Sequence, residues 1–252
     1  MKTKLLYRKM ESIFKQRIGF NGDLRDISEQ VCKDFNLGGF LNCNIILVGY
    51  EDFNFSLETT KNKFFVKIFS NARAFEDCKR NVDVVVKLLE TGVSAPKLHQ
   101  SEQGFLHLLR INKSTLRVCV MDFIDGKDFF TSKALITTED KIALARQATL
   151  INLVDIKPPK IYDAWAIINF PLEFKKKSQY LEKDELKLIT PLLEEFKALN
   201  IETLPHCFVH GDILRTNVIK DNEGKIWIID FSVSNYYPRI QELAVLACDD
   251  FV

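Results

Sequence analysis

The sequence predicts an α+β protein with two lobes, a small antiparallel sheet lobe followed by a mainly helical lobe. Two observations lead to this prediction. β-branched and aromatic runs, separated by short polar turns, occupy residues 44–50, 53–59 and 64–69. Beyond the turn-prone pair Asp125-Gly126, helical periodicity dominates the remaining chain. Strands are therefore concentrated in the first half and helices in the second.

The first lobe is expected to begin with a short helix at residues 26–35, because the Gly38-Gly39 pair that follows is a strong stop signal. The three strands then form an antiparallel meander. A longer helix is expected at residues 72–91, where apolar side chains recur at three- and four-residue spacing. Gly92 stands where the C-cap of this helix belongs.

Two further strand-like segments, 104–109 and 115–123, bring the chain to the expected lobe boundary. We therefore predict a first lobe over residues 1–120, a hinge at 121–126 and a second lobe over 127–252.

The second lobe is expected to contain helices at 138–154 and 178–199, the latter interrupted at Pro191. Two short strands, 217–220 and 226–231, flank a polar four-residue turn and predict a hairpin. The residues with the strongest chemical signal cluster around this hairpin.

Composition narrows the function class. The chain has 252 residues, of which 46% are hydrophobic and 27% charged, with a net charge of +1. This balance disfavours nucleic acid and membrane surfaces as partners. Six dispersed cysteines form no zinc-type spacing and are expected to be reduced and mostly buried. The sequence has neither the apolar stretch of a signal peptide nor a run of about 18 apolar residues, so we expect a cytoplasmic protein.

The segment HGDILRTN at 210–217 leads into WIIDF at 227–231, which places polar side chains at the ends of neighbouring short strands. Phosphoryl transfer requires a carboxylate that accepts a hydroxyl proton and oxygen ligands that hold Mg²⁺ on nucleotide phosphates. Asp212, Asn217 and Asp230 supply such oxygens.

The two segments resemble the signature of the aminoglycoside phosphotransferase and choline kinase superfamily, HGDxxxxN followed by a hairpin and IDF. This resemblance implies a protein-kinase-like fold, ATP and Mg²⁺ as cofactors, and a small-molecule hydroxyl as acceptor. It also implies that Asp212 is the catalytic base and that Asn217 and Asp230 are Mg²⁺ ligands. His210 would be structural, and Phe231 would pack behind Asp230.

A kinase-like fold also needs a strand lysine that holds the phosphates and a helix glutamate that orients the lysine. Lys67 is the candidate lysine, because its apolar neighbours on both sides make an unpaired ammonium costly. Lys63 is expected to be solvated. Glu76 is the best candidate for the partner, with Asp77 and Glu90 as alternatives, and a helix-start acid would explain Glu76 equally well.

Further nucleotide contacts are expected at two places. Asn54 and Ser56 lie near the turn between the first strands, where similar kinases contact phosphates, although an ordinary polar turn explains them equally well. Backbone groups of Met121 and Phe123 would bind the adenine edge at the hinge.

After the IDF segment, Glu242 resembles an acidic position of the family and is expected to brace the catalytic loop from a helix that starts near Pro238. Arg215 and Arg239 are candidates for steering an anionic substrate, although exposed arginines are more often only solvated.

Similar kinases usually continue well beyond the position of Val252 with helices that build much of the acceptor pocket. The chain is then either naturally short or a fragment, and acceptor turnover should suffer more than nucleotide binding. The alternative function is a non-catalytic, nucleotide-binding pseudokinase module. Protein kinase activity is disfavoured by the missing APE-like segment. The sequence does not select the acceptor or the oligomeric state.

Overall fold

The computed structural model describes residues 12–13, 15–47, 49 and 51–249. The chain divides into two units. The first includes the residues up to Leu89 together with Ala95–Asp125, and the second includes Glu90–Ser94 and continues from Gly126. Helices and antiparallel sheets both occur, so the α+β class is confirmed. The hinge at 121–126 stays a prediction.

In chain order the described elements of the first unit are α1 (Leu24–Asp34), β1 (Phe40–Ile46), β2 (Phe53–Thr59), β3 (Lys63–Phe69), α2 (Phe75–Glu90), β4 (Leu98–His99), β5 (His107–Ile111) and β6 (Ser114–Asp122). The strands form one sheet in the order β1-β2-β3-β6-β4, and β5 also pairs with β6. The pairing is antiparallel throughout, as the predicted meander requires.

One face of this sheet is covered by α1. Residues such as Ile27 and Val31 of the helix share a buried cluster with Phe55 and Val66 of the sheet. The helix begins at Leu24, two residues earlier than predicted, because the side chain of Asp23 accepts a hydrogen bond from Arg25 N–H (2.9 Å) and caps it. A local cap therefore sets the helix start.

Strand boundaries differ from the prediction where turns intervene. β1 lies at Phe40–Ile46 and not at 44–50, and part of the predicted range (Val48 and Tyr50) lies outside the described residues. β5 begins at His107 because Ser101 and Gly104 exchange two backbone hydrogen bonds (3.0 and 3.1 Å) in a tight turn. The residues predicted to start this strand are used by that turn.

The other face of the sheet is covered in part by α2, whose Cys78 and Val82 pack with Phe69, Leu98 and Cys119. The two buried clusters explain why the central strands carry apolar side chains on both faces.

In the second unit the elements are β7 (Gly126–Asp128), α3 (Phe129–Ser132), α4 (Thr138–Asn152), α5 (Phe170–Lys177), α6 (Lys183–Ala198), β8 (His206–Val209), β9 (Val218–Asp221), β10 (Ile226–Ile228), β11 (Asn235–Pro238) and α7 (Ile240–Cys248). β10, β9 and β7 form a small sheet, and β11 pairs with β8. Ser94 belongs to this unit because its carbonyl accepts from Ile228 N–H (2.8 Å) and its N–H donates to Gln147 Oε1 (2.7 Å).

The predicted interruption of the helix at Pro191 was wrong. α6 runs without a break through Pro191, where an exposed surface lets solvent satisfy the carbonyl that the missing N–H leaves unpaired. The helix expected to start near Pro238 begins two residues later, at Ile240, and Pro238 itself is the last residue of strand β11.

The described part contains no helix that is both long and apolar enough to cross a bilayer. All six cysteines fall within this part and are free thiols. Cys32, Cys78 and Cys119 are buried, whereas Cys248 is exposed, so the expectation of mostly buried cysteines holds for half of them. Burial raises the pKa of the Cys119 thiol to about 12, which makes it unreactive.

Candidate active site

The 210–217 segment begins where β8 ends. Phe208 and Val209 of this strand are buried, and β11 pairs with it along its length. Gly211 then adopts a left-handed conformation (φ +79°), which a side chain would strain. The chain turns there and presents Asp212 at the edge of the strand pair.

Asp212 and Asn217, the residues expected as base and metal ligand, are in direct contact. The Asn217 Nδ2 group donates to Asp212 Oδ2 (2.7 Å) and to the Asp212 carbonyl (2.9 Å). Backbone bonds from Leu214 to Asp212 (2.9 Å) and from Asn217 to Leu214 (2.8 Å) close the intervening loop. With Nδ2 directed at Asp212, Asn217 Oδ1 faces away from it.

The electrostatic surroundings of Asp212 suit a general base. Burial, followed by the negative charge of Asp230, raises the pKa of Asp212 to about 6, although the hydrogen bond from Asn217 opposes this shift. The carboxylates of Asp163 and Asp249 add smaller contributions. A base whose pKa lies just below neutrality is largely ionised at pH 7 and still basic enough to accept a proton.

Asp230 follows strand β10 and is one of the few non-glycine residues in the described part with a left-handed backbone (φ +62°). Such a conformation is uncommon and clusters at functional sites, and aspartate tolerates it better than most residues. Ile229 N–H donates to the Asn217 carbonyl (3.0 Å), which holds the segment before Asp230 beside the 212–217 loop. Three polar residues of the motif are thus brought together.

The His210 ring is buried and both of its nitrogens are engaged. Asp212 N–H donates to Nδ1 (3.1 Å), so Nδ1 is unprotonated and the Nε2–H group donates to the Ile229 carbonyl (3.0 Å). Burial lowers the pKa of His210 to about 4. Phe231 packs against this ring at a centroid distance of 4.5 Å. The neutral ring therefore joins the two motif segments, as expected of a structural histidine.

Glu242 of α7 holds the backbone of the same loop through hydrogen bonds. Its carboxylate accepts the backbone N–H groups of His210 (3.3 Å) and Gly211 (2.9 Å). Nearly complete burial raises the pKa of Glu242 to about 7. These contacts are the ones expected from the sequence.

The oxygen ligands that Asp230 and Asn217 offer suit a magnesium ion better than a metal ion whose ligands all come from the protein. Among residues 12–13, 15–47, 49 and 51–249 no group of three or more His, Cys, Asp or Glu side chains has metal-binding geometry. Mg²⁺ usually binds one or two protein oxygens and completes its shell with water and substrate phosphates. One aspartate and one asparagine oxygen match that requirement.

In the first unit, Lys67 is buried in β3 and its ammonium lies 3.7 Å from Asp52 Oδ2. Asp52 lies in the short polar turn before β2, and the sequence alone does not distinguish it from an ordinary turn residue. Glu76, the expected partner, has an exposed side chain in the first turn of α2. Its role as a partner of Lys67 stays a prediction.

Sheet register places the other expected nucleotide contacts on one face. Asn54 pairs with Lys67, Ser56 pairs with Phe65, and Phe65 pairs with Met121. Because directly paired residues point to the same side, Asn54, Ser56, Lys67 and Met121 share a face of the sheet. Asn54 Oδ1 is buried and has no hydrogen-bond partner among the described residues. The face therefore offers an unsatisfied polar group.

Phe123, expected to bind adenine through its backbone, already donates its N–H to the Lys63 carbonyl (3.4 Å). The backbone carbonyl of Phe123 is therefore the group that would accept a hydrogen bond from adenine. The Lys63 ammonium lies 4.0 Å from the centre of the Phe123 ring and 3.8 Å from Glu58, and the lysine side chain is 42% exposed, in line with the solvated lysine expected.

Arg215, a candidate for substrate steering, is held by the chain itself. Its Nε–H donates to the Asp249 carbonyl (3.1 Å), and its backbone N–H bonds the Asp249 carboxylate. Arg239 is exposed beside α7, and its role stays a prediction. Sequence reasoning missed Asp52, Asp163 and Asp249, since nothing in their local sequence distinguishes them from ordinary loop carboxylates.

Comparison with known proteins connects this geometry to a family. The profile of the phosphotransferase enzyme family (APH) matches residues 43–252. Homoserine kinase from Methylobacillus glycogenes is 20% identical over 205 residues, which represent 81% of this chain and 62% of the kinase. The chain thus spans less than two thirds of that relative.

Solved structures share the fold at low identity. Spectinomycin phosphotransferase APH(9)-Ia, in complex with ADP and spectinomycin, matches with a TM-score of 0.67 and 15% identity, over 90% of this chain and 74% of its own. Choline kinase LicA from Streptococcus pneumoniae matches with a TM-score of 0.59 and 19% identity, over 89% and 74%. The predicted protein-kinase-like fold is therefore confirmed.

Proposed function

Because this chain belongs to the phosphotransferase enzyme family, we propose that it transfers the γ-phosphate of ATP to a hydroxyl group of a small molecule. The observation that carries the proposal is the contact of Asp212 with Asn217 beside the strained Asp230, in surroundings that raise the pKa of Asp212 to about 6.

Asp212 takes the proton of the acceptor hydroxyl as the new oxygen–phosphorus bond forms and the bond to the ADP oxygen breaks. Asn217 donates to Asp212 Oδ2, which leaves Asp212 Oδ1 for that proton. Asn217 Oδ1 and the Asp230 carboxylate would hold Mg²⁺, which neutralises phosphate charge when it is bound. Lys67 would bind the nucleotide phosphates, and the sheet face with Asn54, Ser56 and Met121 would contact the rest of the nucleotide.

The finer assignments belong to the same proposal. Homoserine, aminoglycosides and choline are the acceptor candidates, because the relatives are a homoserine kinase, a spectinomycin phosphotransferase and a choline kinase. A cytoplasmic location is supported by six free cysteines, which suit a reducing compartment, and by the ATP requirement.

Turnover assays test the proposal. Purified protein would be incubated with MgATP and each candidate acceptor, and with a peptide pool, and ADP release would be measured. Asp212→Asn should lower acceptor-dependent turnover by about 10²–10⁴-fold while nucleotide affinity is largely kept. Asp155→Asn, an exposed carboxylate in the same unit, is the matched control and should leave turnover unchanged.

Turnover that survives in Asp212→Asn would refute the assigned base. Nucleotide binding without turnover of any acceptor would favour the non-catalytic module. Turnover confined to the peptide pool would favour a protein kinase.

A further inference from the structure

The buried ammonium of Lys67 needs a carboxylate, and α2 does not bury one. The residues that α2 buries are Cys78, Arg80, Asn81, Val82, Val84 and Leu88. All residues of α2 are described, and its acids are exposed or half-exposed, with Glu76 among the exposed ones in the first turn. The helix that should orient the lysine thus presents polar but not acidic groups on its buried side.

Asp52 offers a carboxylate from the sheet itself. It is buried (6% exposed) and immediately precedes β2, the strand that pairs with the strand of Lys67. Asp52 Oδ2 lies 3.7 Å from Lys67 Nζ, and the lysine side chain is itself only 11% exposed. Ion pairs in such surroundings are screened much less than pairs on the surface.

The orientation of Asp52 is fixed by other donors. Its Oδ1 atom accepts the backbone N–H of Ser70 (3.0 Å) and Nε–H of Arg73 (3.1 Å). Arg73 also pairs with the neighbouring Glu51. Because Oδ1 is held by these two donors, Oδ2 is directed at Lys67, and a group held in this way can position a flexible lysine.

We propose that Asp52 is the positioning residue of Lys67, and that it takes the role expected of a helix glutamate. The inference rests on the proposed function, in which Lys67 binds the nucleotide phosphates. An ammonium has three N–H donors, so the contact with Asp52 does not exhaust its capacity to bind phosphate. Asp52 does not touch the nucleotide in this account and acts only through Lys67.

A double-mutant cycle tests this relation. Binding of a non-hydrolysable ATP analogue with Mg²⁺ would be measured by calorimetry for wild type, Asp52→Asn, Lys67→Met and the double variant. Lys67→Met should weaken binding roughly 10- to 100-fold, and Asp52→Asn about 5- to 30-fold. In the Lys67→Met background, Asp52→Asn should change affinity by less than about twofold, because its effect requires the lysine.

One control separates positioning from general disturbance. Glu58→Gln removes the acid of the exposed Glu58–Lys63 pair between the same two strands (3.8 Å) and should change affinity by less than about twofold. Glu76→Gln is the rival variant, because it removes the helix acid, and it should lower affinity less than Asp52→Asn does. Asp52→Glu should recover part of the affinity that Asp52→Asn loses, which also guards against a variant that fails to fold.

A second readout does not need the nucleotide. The rate at which an amine-selective reagent modifies Lys67, located by mass spectrometry and referred to Lys63, should rise several-fold in Asp52→Asn, since the lysine loses its buried partner. An unchanged ratio would overturn the inference. So would equal losses from Asp52→Asn in both backgrounds, or a loss in Glu76→Gln without one in Asp52→Asn. If the wild-type protein binds no nucleotide, the proposed function is refuted. The ratio of Lys67 to Lys63 labelling would still test the role of Asp52 in that case.

Discussion

His210 shows how a single residue can link two motif segments without taking part in the chemistry. Its unprotonated Nδ1 accepts from Asp212 N–H and its Nε2–H group donates to the Ile229 carbonyl, so the fold requires the neutral ring. Burial lowers its pKa from 6.5 to about 4. Protonation would put a buried charge in place of an acceptor, and folding therefore depends on pH through this residue.

The sign follows from the lowered pKa. The stability that neutral His210 contributes is complete above pH 6.5, where the unfolded ring is also neutral, and is lost as pH falls toward 4. The difference in unfolding free energy between wild type and His210→Asn should shrink by about 2 kcal/mol from pH 7.5 to pH 5, at ~1.4 kcal/mol per unit.

Urea denaturation at both pH values measures this difference. Glu242, whose raised pKa acts in the opposite direction, is present in both proteins, so its contribution cancels to first order. A difference that stays constant with pH would contradict the neutral ring.

At the scale of elements, several helices begin at local capping signals, but α6 passes through a residue that usually ends a helix. Thr137 and Asp140 form a capping box at the start of α4, and Glu182 with Glu185 does the same for α6. Pro191 then lies inside α6 and does not end it. Tertiary packing of Leu193, which is buried, holds the helix together across the missing hydrogen bond.

Replacing this proline should stabilise the protein. Pro191→Ala restores the N–H that would bond the carbonyl four residues earlier, and it should raise the unfolding free energy by about 1–3 kcal/mol, partly offset by unfolded-state entropy. Thermal unfolding would measure the change, with exposed Thr190→Ala as a control expected within about 0.5 kcal/mol. A less stable Pro191→Ala protein would mean that the proline packs favourably.

At the scale of the whole molecule, the expected nucleotide ligands are distributed over both units. Lys67 lies in the first unit, whereas Asn217 and Asp230 lie in the second. A ligand that binds the folded protein stabilises it by mass action, so the stability of the chain reports whether both sets of residues contribute.

A saturating non-hydrolysable ATP analogue with Mg²⁺ should raise the melting temperature of wild type by roughly 5–10 °C, the effect of about 2.7 kcal/mol at 100 times Kd. Lys67→Met and Asp230→Ala should each remove most of this shift, and Asp155→Asn should keep it. A full shift in both variants would place the nucleotide elsewhere, which differential scanning calorimetry would reveal.

The sequence by itself determined the fold class, the family resemblance and the cluster of Asp212, Asn217 and Asp230. These features depend on residues that are close together in the sequence: the periodicity of strands and helices, and a motif whose residues are joined by one short hairpin. Strand β2 has the bounds that were predicted, because its local sequence pattern also defines its two ends.

Only the tertiary structure decided the contacts between residues distant in sequence. The pairing of Asp52 with Lys67 depends on sheet register, and the neutral tautomer of His210 depends on which groups surround the ring. The raised pKa of Asp212 likewise depends on burial and on Asp163 and Asp249, which the chain brings near from other segments. Burial and charge act through space, so spacing along the chain does not fix them.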